Sequence, residues 1–237
     1  MTSLLMFNSD PLRRWRLLVT AVLLLCLAAC SFSSAAKEER SAQLQQHLAA
    51  GDAAWQGRDY AAAGNAYGAA RLLVTADPAL DFRLGLVQEH LGNYAEAAAF
   101  YRTALKTKKL PDELRHDLTY RLALLEAFRL QGAEQVPLLL ATLPPTSPYA
   151  ADLQAVLALL AGDGRKALAE LNVARALPLN PELSSIILYH AARAYYLTGE
   201  VDRALQSLFE AINLAGYAPV AKDISEFREF LIKQPRS

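Results

Sequence analysis

The stretch LGLVQEHLGNYAEAAAFYRTA, Leu84 to Ala104, decides the fold. It holds two helical patterns separated by Gly92-Asn93. A glycine there releases the chain from the first helix and permits a tight turn. Beyond the turn, Ala97, Tyr101 and Ala104 fall at spacings of four and three, which puts them on one helical face. Small residues such as Gly85, Ala97 and Ala104 let two helices approach closely. Tyr94 and Tyr101 are large enough to fill the gaps between one helix pair and the next.

The same pattern recurs along the chain. Ala63-Tyr67-Ala70, Ala97-Tyr101-Ala104, Ala167-Leu171-Ala174 and Ala204-Leu208-Ala211 share its spacing, and Gly57, Gly92, Gly162 and Gly199 lie upstream of them. Tyr60 and Tyr94 precede the first two sets and are 34 residues apart. One such match is what any amphipathic helix provides. Four matches with glycines upstream argue for an internal repeat. The pattern resembles the tetratricopeptide repeat (TPR), whose period is about 34 residues. The resemblance covers Leu44 to Gly216. It implies an all-α fold, a right-handed superhelical stack of antiparallel helix pairs. Five units begin near Leu44, Pro78, Leu118, Pro148 and Ser185. Unit three is degenerate, because Pro137 falls where the alanine is expected and its second helix is short.

Composition agrees. Hydrophobic residues make up 53% of the 237, and outside one N-terminal block much of this is alanine and leucine, both strong helix formers. Lys+Arg and Asp+Glu number 24 each. Residues 1–29 hold three of the basic residues and one of the acidic, so the remainder carries 21 against 23. No basic excess exists to neutralise a phosphate backbone, so a nucleic-acid partner is not expected. The two cysteines, Cys26 and Cys30, both lie at the N-terminal block, which excludes a disulfide framework in the body.

That block has the layout of an export signal. Arg13-Arg14-Trp15-Arg16 precedes Leu17 to Ala29, thirteen uncharged and mostly apolar residues. A membrane-spanning helix needs roughly 20 apolar residues. The run ends in Leu27-Ala28-Ala29-Cys30, which resembles the lipobox of bacterial lipoproteins. The resemblance implies cleavage before Cys30 and acylation of its sulfur. Several acyl chains on one residue anchor firmly, where a single chain binds only marginally. Read onward to Ala36, the uncharged stretch reaches 20 residues and describes an uncleaved anchor instead. The serines among Ser31-Phe32-Ser33-Ser34 argue against that alternative. Ser31 is not the aspartate associated with inner-membrane retention, so the resemblance favours the outer membrane, with the body facing the periplasm.

The expected organisation is a removed signal peptide (1–29), a lipidated cysteine and polar linker (30–40), a repeat domain (41–217), and a C-terminal capping helix with tail (218–237). In the last segment, Ile224, Phe227 and Leu231 share one helical face. Terminal repeats need a cap with a polar outer face. Gly132 to Pro148 contains Pro137, Pro144, Pro145 and Pro148 and reads as a loop-rich joint. It either divides the stack in two or is one diverged repeat inside a continuous stack.

No catalytic constellation is present: there is no H-E-x-x-H, G-x-S-x-G, phosphate loop or dinucleotide fingerprint, and His47, His90, His116 and His190 lack metal-ligand spacing. Neither enzymatic activity, a metal, a cofactor nor a small-molecule substrate is expected. In TPR arrays the first helix of each pair lines a groove. Aligned by the glycines, its positions here include Asp52, Trp55, Phe82, Glu89, His90, Glu126, Arg129, Tyr189, Arg193 and Tyr196. Trp, Tyr and Arg are the usual energetic anchors of interfaces, although Trp55, Phe82 and Tyr196 equally suit packing between helices. Arg129 and Arg193 stand isolated in the sequence. The implied function is a membrane-anchored scaffold or adaptor that binds a protein or peptide partner in the cell envelope, in pilus, secretion or outer-membrane assembly. The alternative is an accessory subunit of an envelope enzyme for polysaccharide synthesis or peptidoglycan remodelling.

Overall fold

The computed structural model describes Trp15, residues 36–215 and residues 219–234. Leu27, Ala28, Ala29 and Cys30 lie outside the described residues. Residues 36–56 are helical (α1). Then follow α2 (Tyr60–Leu72), α3 (Pro78–Leu91), α4 (Tyr94–Leu105), α5 (Asp112–Phe128), a single 3-10 turn running into α6 (Val136–Leu140), α7 (Pro148–Leu160), α8 (Gly164–Arg175), α9 (Pro181–Leu197), α10 (Val201–Ala215) and α11 (Val220–Ile232). No strand occurs among the described residues. The helices form five successive pairs, α1/α2 to α9/α10, with α11 at the end: a TPR-like helical stack.

Local chemistry sets the boundaries. Three first helices open on a polar residue followed by proline: Asp77-Pro78, Ser147-Pro148 and Asn180-Pro181. Each polar side chain accepts a hydrogen bond from a backbone N–H of the first turn, as Asn180 does from Leu183 at 2.8 Å. Proline fits the next position because its missing N–H has no partner there anyway. Pro148 therefore starts α7 rather than breaking a helix. At the turns inside pairs two, four and five, Gly92, Gly162 and Gly199 take the left-handed conformation at φ 78°, 75° and 83°. The first and third turns differ. Arg58 (φ 61°) and Gln131 (φ 57°) hold that conformation, and Gly57 and Gly132 sit one residue away. Gly57 is thus not the counterpart of Gly92.

Every residue of the four recurring Ala-large-Ala sets is at most 2% exposed. In the first two units the large residue meets a small one sixteen positions earlier. A Cβ on Gly51 would run into the Tyr67 ring, and one on Gly85 into Tyr101. In the later units, fully buried alanines stand at the same offset from leucine: Ala155 with Leu171 in one core cluster, and Ala192 with Leu208 in another. Glycine accompanies tyrosine and alanine accompanies leucine, so the sum of volumes stays nearly constant.

The proline-rich middle is built into the core. Val136 is fully buried and Leu143 is 5% exposed, and both join the cluster that unites α5, α7, α8 and α9. A division into separate sub-stacks at 132–148 therefore has no gap in the core to correspond to. Unit three begins at Asp112, earlier than Leu118, and its second helix is the five-residue α6. Residues 36–40, read as linker, are already helical. At the far end, Ile224 and Leu231 are buried and Phe227 packs beside them on the α9/α10 cluster, so α11 caps the stack. Among the described residues, no helix is long and apolar enough to cross a membrane.

Candidate functional site

Two hollows open on the faces of the first helices. The smaller, about 290 Å³, lies between α1, α2 and α3 and is lined by Asp52, Trp55, Tyr67, Phe82, Arg83 and neighbouring apolar atoms. The Tyr67 hydroxyl donates to Asp52 at 2.6 Å, and Arg83 approaches the same carboxylate at 3.3 Å. Burial and this bond to Asp52 push the Tyr67 phenol far up, so it remains a donor. Trp55 stands edge-on to Tyr60 and His90, whose rings stack at 4.1 Å. Burial lowers the His90 imidazole to about 4, so this cluster is neutral near pH 7.

The larger cavity, about 420 Å³, is walled by α3, α5 and α9, with α11 across one side. Its geometry follows from the short third unit. Most of α7 is buried, and the side chains of α5 and α9 meet in front of it. Arg121 of α5 reaches Glu182 of α9 at 2.9 Å. Behind them, Asp152 of α7 is 0% exposed. It accepts from the Tyr120 hydroxyl at 2.6 Å and lies 2.9 Å from Nδ1 of His190. Three first helices are thereby joined through one buried carboxylate.

Three arginines face this cavity in different electrostatic states. Arg121, 8% exposed, is surrounded by Asp117 (3.0 Å), Glu182 (2.9 Å) and Glu89 (3.5 Å). Burial opposes its charge, but the three carboxylates outweigh burial and hold it protonated. The carboxylates share a single cation. Burial pushes Glu89 up to about 7 against the pull of Arg121, and raises Asp117 as well. The Tyr101 hydroxyl sits beside Glu89 but outside hydrogen-bonding geometry. Arg129 pairs with Asp223 of α11 and lies over Tyr94 at 4.8 Å. Arg193 lies over Phe128 at 4.5 Å and near Tyr189 at 6.0 Å. It has no carboxylate within 4.0 Å among the described residues.

The residues expected to face the groove divide accordingly. Asp52, Trp55 and Phe82 line the first hollow, and Glu89, Arg129, Tyr189 and Arg193 the second. His90 is held in the ring cluster, although its backbone neighbour Glu89 reaches the second hollow. Glu126 is 5% exposed and ion-paired with Arg102 of α4, away from both hollows. Tyr196 is 37% exposed and packs edge-on to Phe227 and Phe230 of α11. Arg129 and Arg193, isolated in the sequence, are brought to one cavity together with Arg121. Lining residues missed include Tyr67 and Arg83 in the first hollow and Arg121, Phe128, Asp223 and Phe227 in the second. Arg121 did leave a signal, a charge in the middle of the apolar run Leu118 to Leu125, with Asp117 one turn before it. Among the described residues, the cavity lining carries cations, carboxylates and aromatic faces but no Ser, Thr, Cys or Lys. That set suits holding a ligand by charge and stacking. No cluster of three or more metal-ligating side chains occurs among the described residues.

Among solved structures, the chain is similar to a thermophilic TPR protein of Thermus thermophilus, with 21% sequence identity and a TM-score of 0.55 over 81% of this chain and 100% of that one. The likeness establishes a shared fold. No protein-family model matches the sequence, and no curated protein matches it.

Proposed function

We propose that this protein is a lipid-anchored scaffold that holds a protein partner of cell-envelope machinery along the first-helix face of the stack. One observation carries the reading. The two hollows adjoin along the first-helix face, where Arg121 of one lies over the Phe82 ring of the other at 5.5 Å, and each is lined chiefly by first helices with aromatic and charged anchors. Anchors of this kind, continuous along one face, fit an extended segment that touches several repeats. The anchor is Cys30, acylated after removal of residues 1–29, and the location is the outer membrane on its periplasmic side. Pilus, secretion or outer-membrane assembly supplies partners of the right kind, and binding is the role, without catalysis. The residues between Cys30 and the helix at residue 36 span at most about 20 Å when extended, so the groove works close to the bilayer.

Two measurements test this. Cys30→Ala should move the protein from the membrane fraction to the soluble fraction; retention in the membrane would favour an uncleaved anchor. Co-purification after mild cross-linking should recover a partner from the wild type and lose it in Trp55→Ala/Phe82→Ala combined with Arg193→Glu. An unchanged partner set in that variant would remove the groove from the account.

A further inference from the structure

We propose that the cavity between α5, α9 and α11 binds a small organic acid, a carboxylate carried on an aromatic or aliphatic body. This goes beyond the scaffold reading and does not depend on it. The argument begins with the three arginines. Arg121 and Arg129 already have carboxylate partners within the chain. Arg193 has none among the described residues, yet it is half-buried and fixed by stacking on Phe128 at 4.5 Å. A stacked guanidinium keeps its in-plane N–H donors available, and those donors match a carboxylate in bidentate geometry. Such a pair is stronger in a partly buried site than on an open surface.

The other charged groups of the lining pair with one another, Arg121 with Glu89 and Glu182, and Arg129 with Asp223, and the remainder is largely apolar or aromatic. Leu124, Phe128, Ile186 and Val220, from α5, α9 and α11, supply apolar surface to the same cavity, and Phe128 lies under Arg193 itself. Arg193 is therefore the one unmatched cation among the described residues of a lining whose other charges are paired and which offers apolar surface beside them. An occupant that satisfies both is an amphiphilic anion.

The size of the cavity suits a small acid. The cavity holds about 420 Å³, within the band of about 300–1,000 Å³ typical of small-molecule pockets. α11 lies across one side, where Asp223 pairs with Arg129.

The test is isothermal titration of the full chain with 4-phenylbutanoate, an acid short and soluble enough not to report membrane partitioning. Its neutral amide, 4-phenylbutanamide, serves as the control. The acid is expected to bind saturably and at least about tenfold more tightly than the amide. Arg193→Gln is expected to lose at least about tenfold, equivalent to about 1.4 kcal/mol, with unchanged helical circular dichroism, since no ion pair is removed. Arg203→Gln makes the same charge change on α10, remote from the cavity, and should leave binding unaltered. Equal affinity for acid and amide, an equal loss in both variants, or no saturable binding up to about 5 mM would each overturn the assignment.

Discussion

The ring of Tyr101 occupies the space that a side chain on Gly85 would fill, and the pair Gly51 and Tyr67 repeats the relationship one unit earlier. Later units meet the same need with alanine and leucine, as in Ala155 with Leu171 and Ala192 with Leu208. The repeat thus keeps constant a volume shared by two helices rather than a residue type. Interiors this close-packed respond to single methylene changes.

This makes the two solutions exchangeable only as pairs. Gly85→Ala alone should cost about 1–2 kcal/mol, the overpacking penalty less the gain in helix propensity. Tyr101→Leu alone should cost about 2–3 kcal/mol through the void it leaves. The double variant should be more stable than the sum predicts by about 1–3 kcal/mol. Urea denaturation of the four proteins measures the coupling. Simple additivity would mean that the two side chains do not share the space.

The turn at Gln131 offers a stabilising change. Gln131 is exposed and left-handed at φ 57°. For a residue with a Cβ that conformation costs about 1–2 kcal/mol. Gln131→Gly should raise stability by about 0.5–1 kcal/mol after the extra entropy of glycine in the unfolded chain is subtracted. The expected rise in Tm is about 1–4 °C. Gly92→Ala, at a position where glycine already supplies φ 78°, should move Tm in the opposite direction.

Much of the fold was legible because it rests on local signals. The Ala-large-Ala sets mark second helices, and glycines at 92, 162 and 199 mark turns. The third unit was harder to place because its left-handed residue is Gln131, one position before the glycine, and its second helix has only five residues. That slip propagated to the site. Glu126 reads as a groove residue but is buried on Arg102, whereas Arg121, five positions earlier, reaches the cavity. Asp223 and Phe227 could not be placed from sequence, because nothing local says which side of the stack a terminal helix leans toward. Spacing identifies the face of a helix. Which two faces then meet is decided by the length of the element between them, and here that element is the short α6.

Glu89 should give the protein an unusual pH response. Its folded pKa of about 7 lies above the ordinary 4.5. Its contribution is therefore fully present below about pH 4.5 and lost as pH rises through 7. His90 has the opposite sign. Its pKa of about 4 lies below the ordinary 6.5, so its contribution is present above 6.5 and lost as pH falls through 4. The two slopes oppose one another between pH 4.5 and 6.5. Glu89→Gln imitates the protonated acid and removes one of them. The variant should match the wild type near pH 4.5 and exceed it by about 2–3 kcal/mol at most at about pH 8. A gap independent of pH in denaturant titrations would show that Glu89 ionises normally.

Asp152 should be the most sensitive polar residue in the stack. It is 0% exposed, and Tyr120 and His190, its partners from α5 and α9, are 1% and 2% exposed. Water does not replace a bond lost at such a site, so the cost depends on which member is removed. Tyr120→Phe deletes one donor and leaves the carboxylate held by His190, costing about 1–1.5 kcal/mol. Asp152→Ala deletes the acceptor for both, leaving a hydroxyl and an imidazole nitrogen buried without partners. Its cost should be about 3–5 kcal/mol, a fall in Tm of roughly 6–20 °C. The location adds a second consequence. Asp152 sits on the recessed α7 and ties α5 to α9, the two helices that frame the cavity. In Asp152→Ala, amide hydrogen exchange should quicken first along α5 and α9, while α1 to α3 keep their protection. Uniform loss of protection along the chain would show that Asp152 stabilises the stack as a whole and does not specifically hold the cavity walls together.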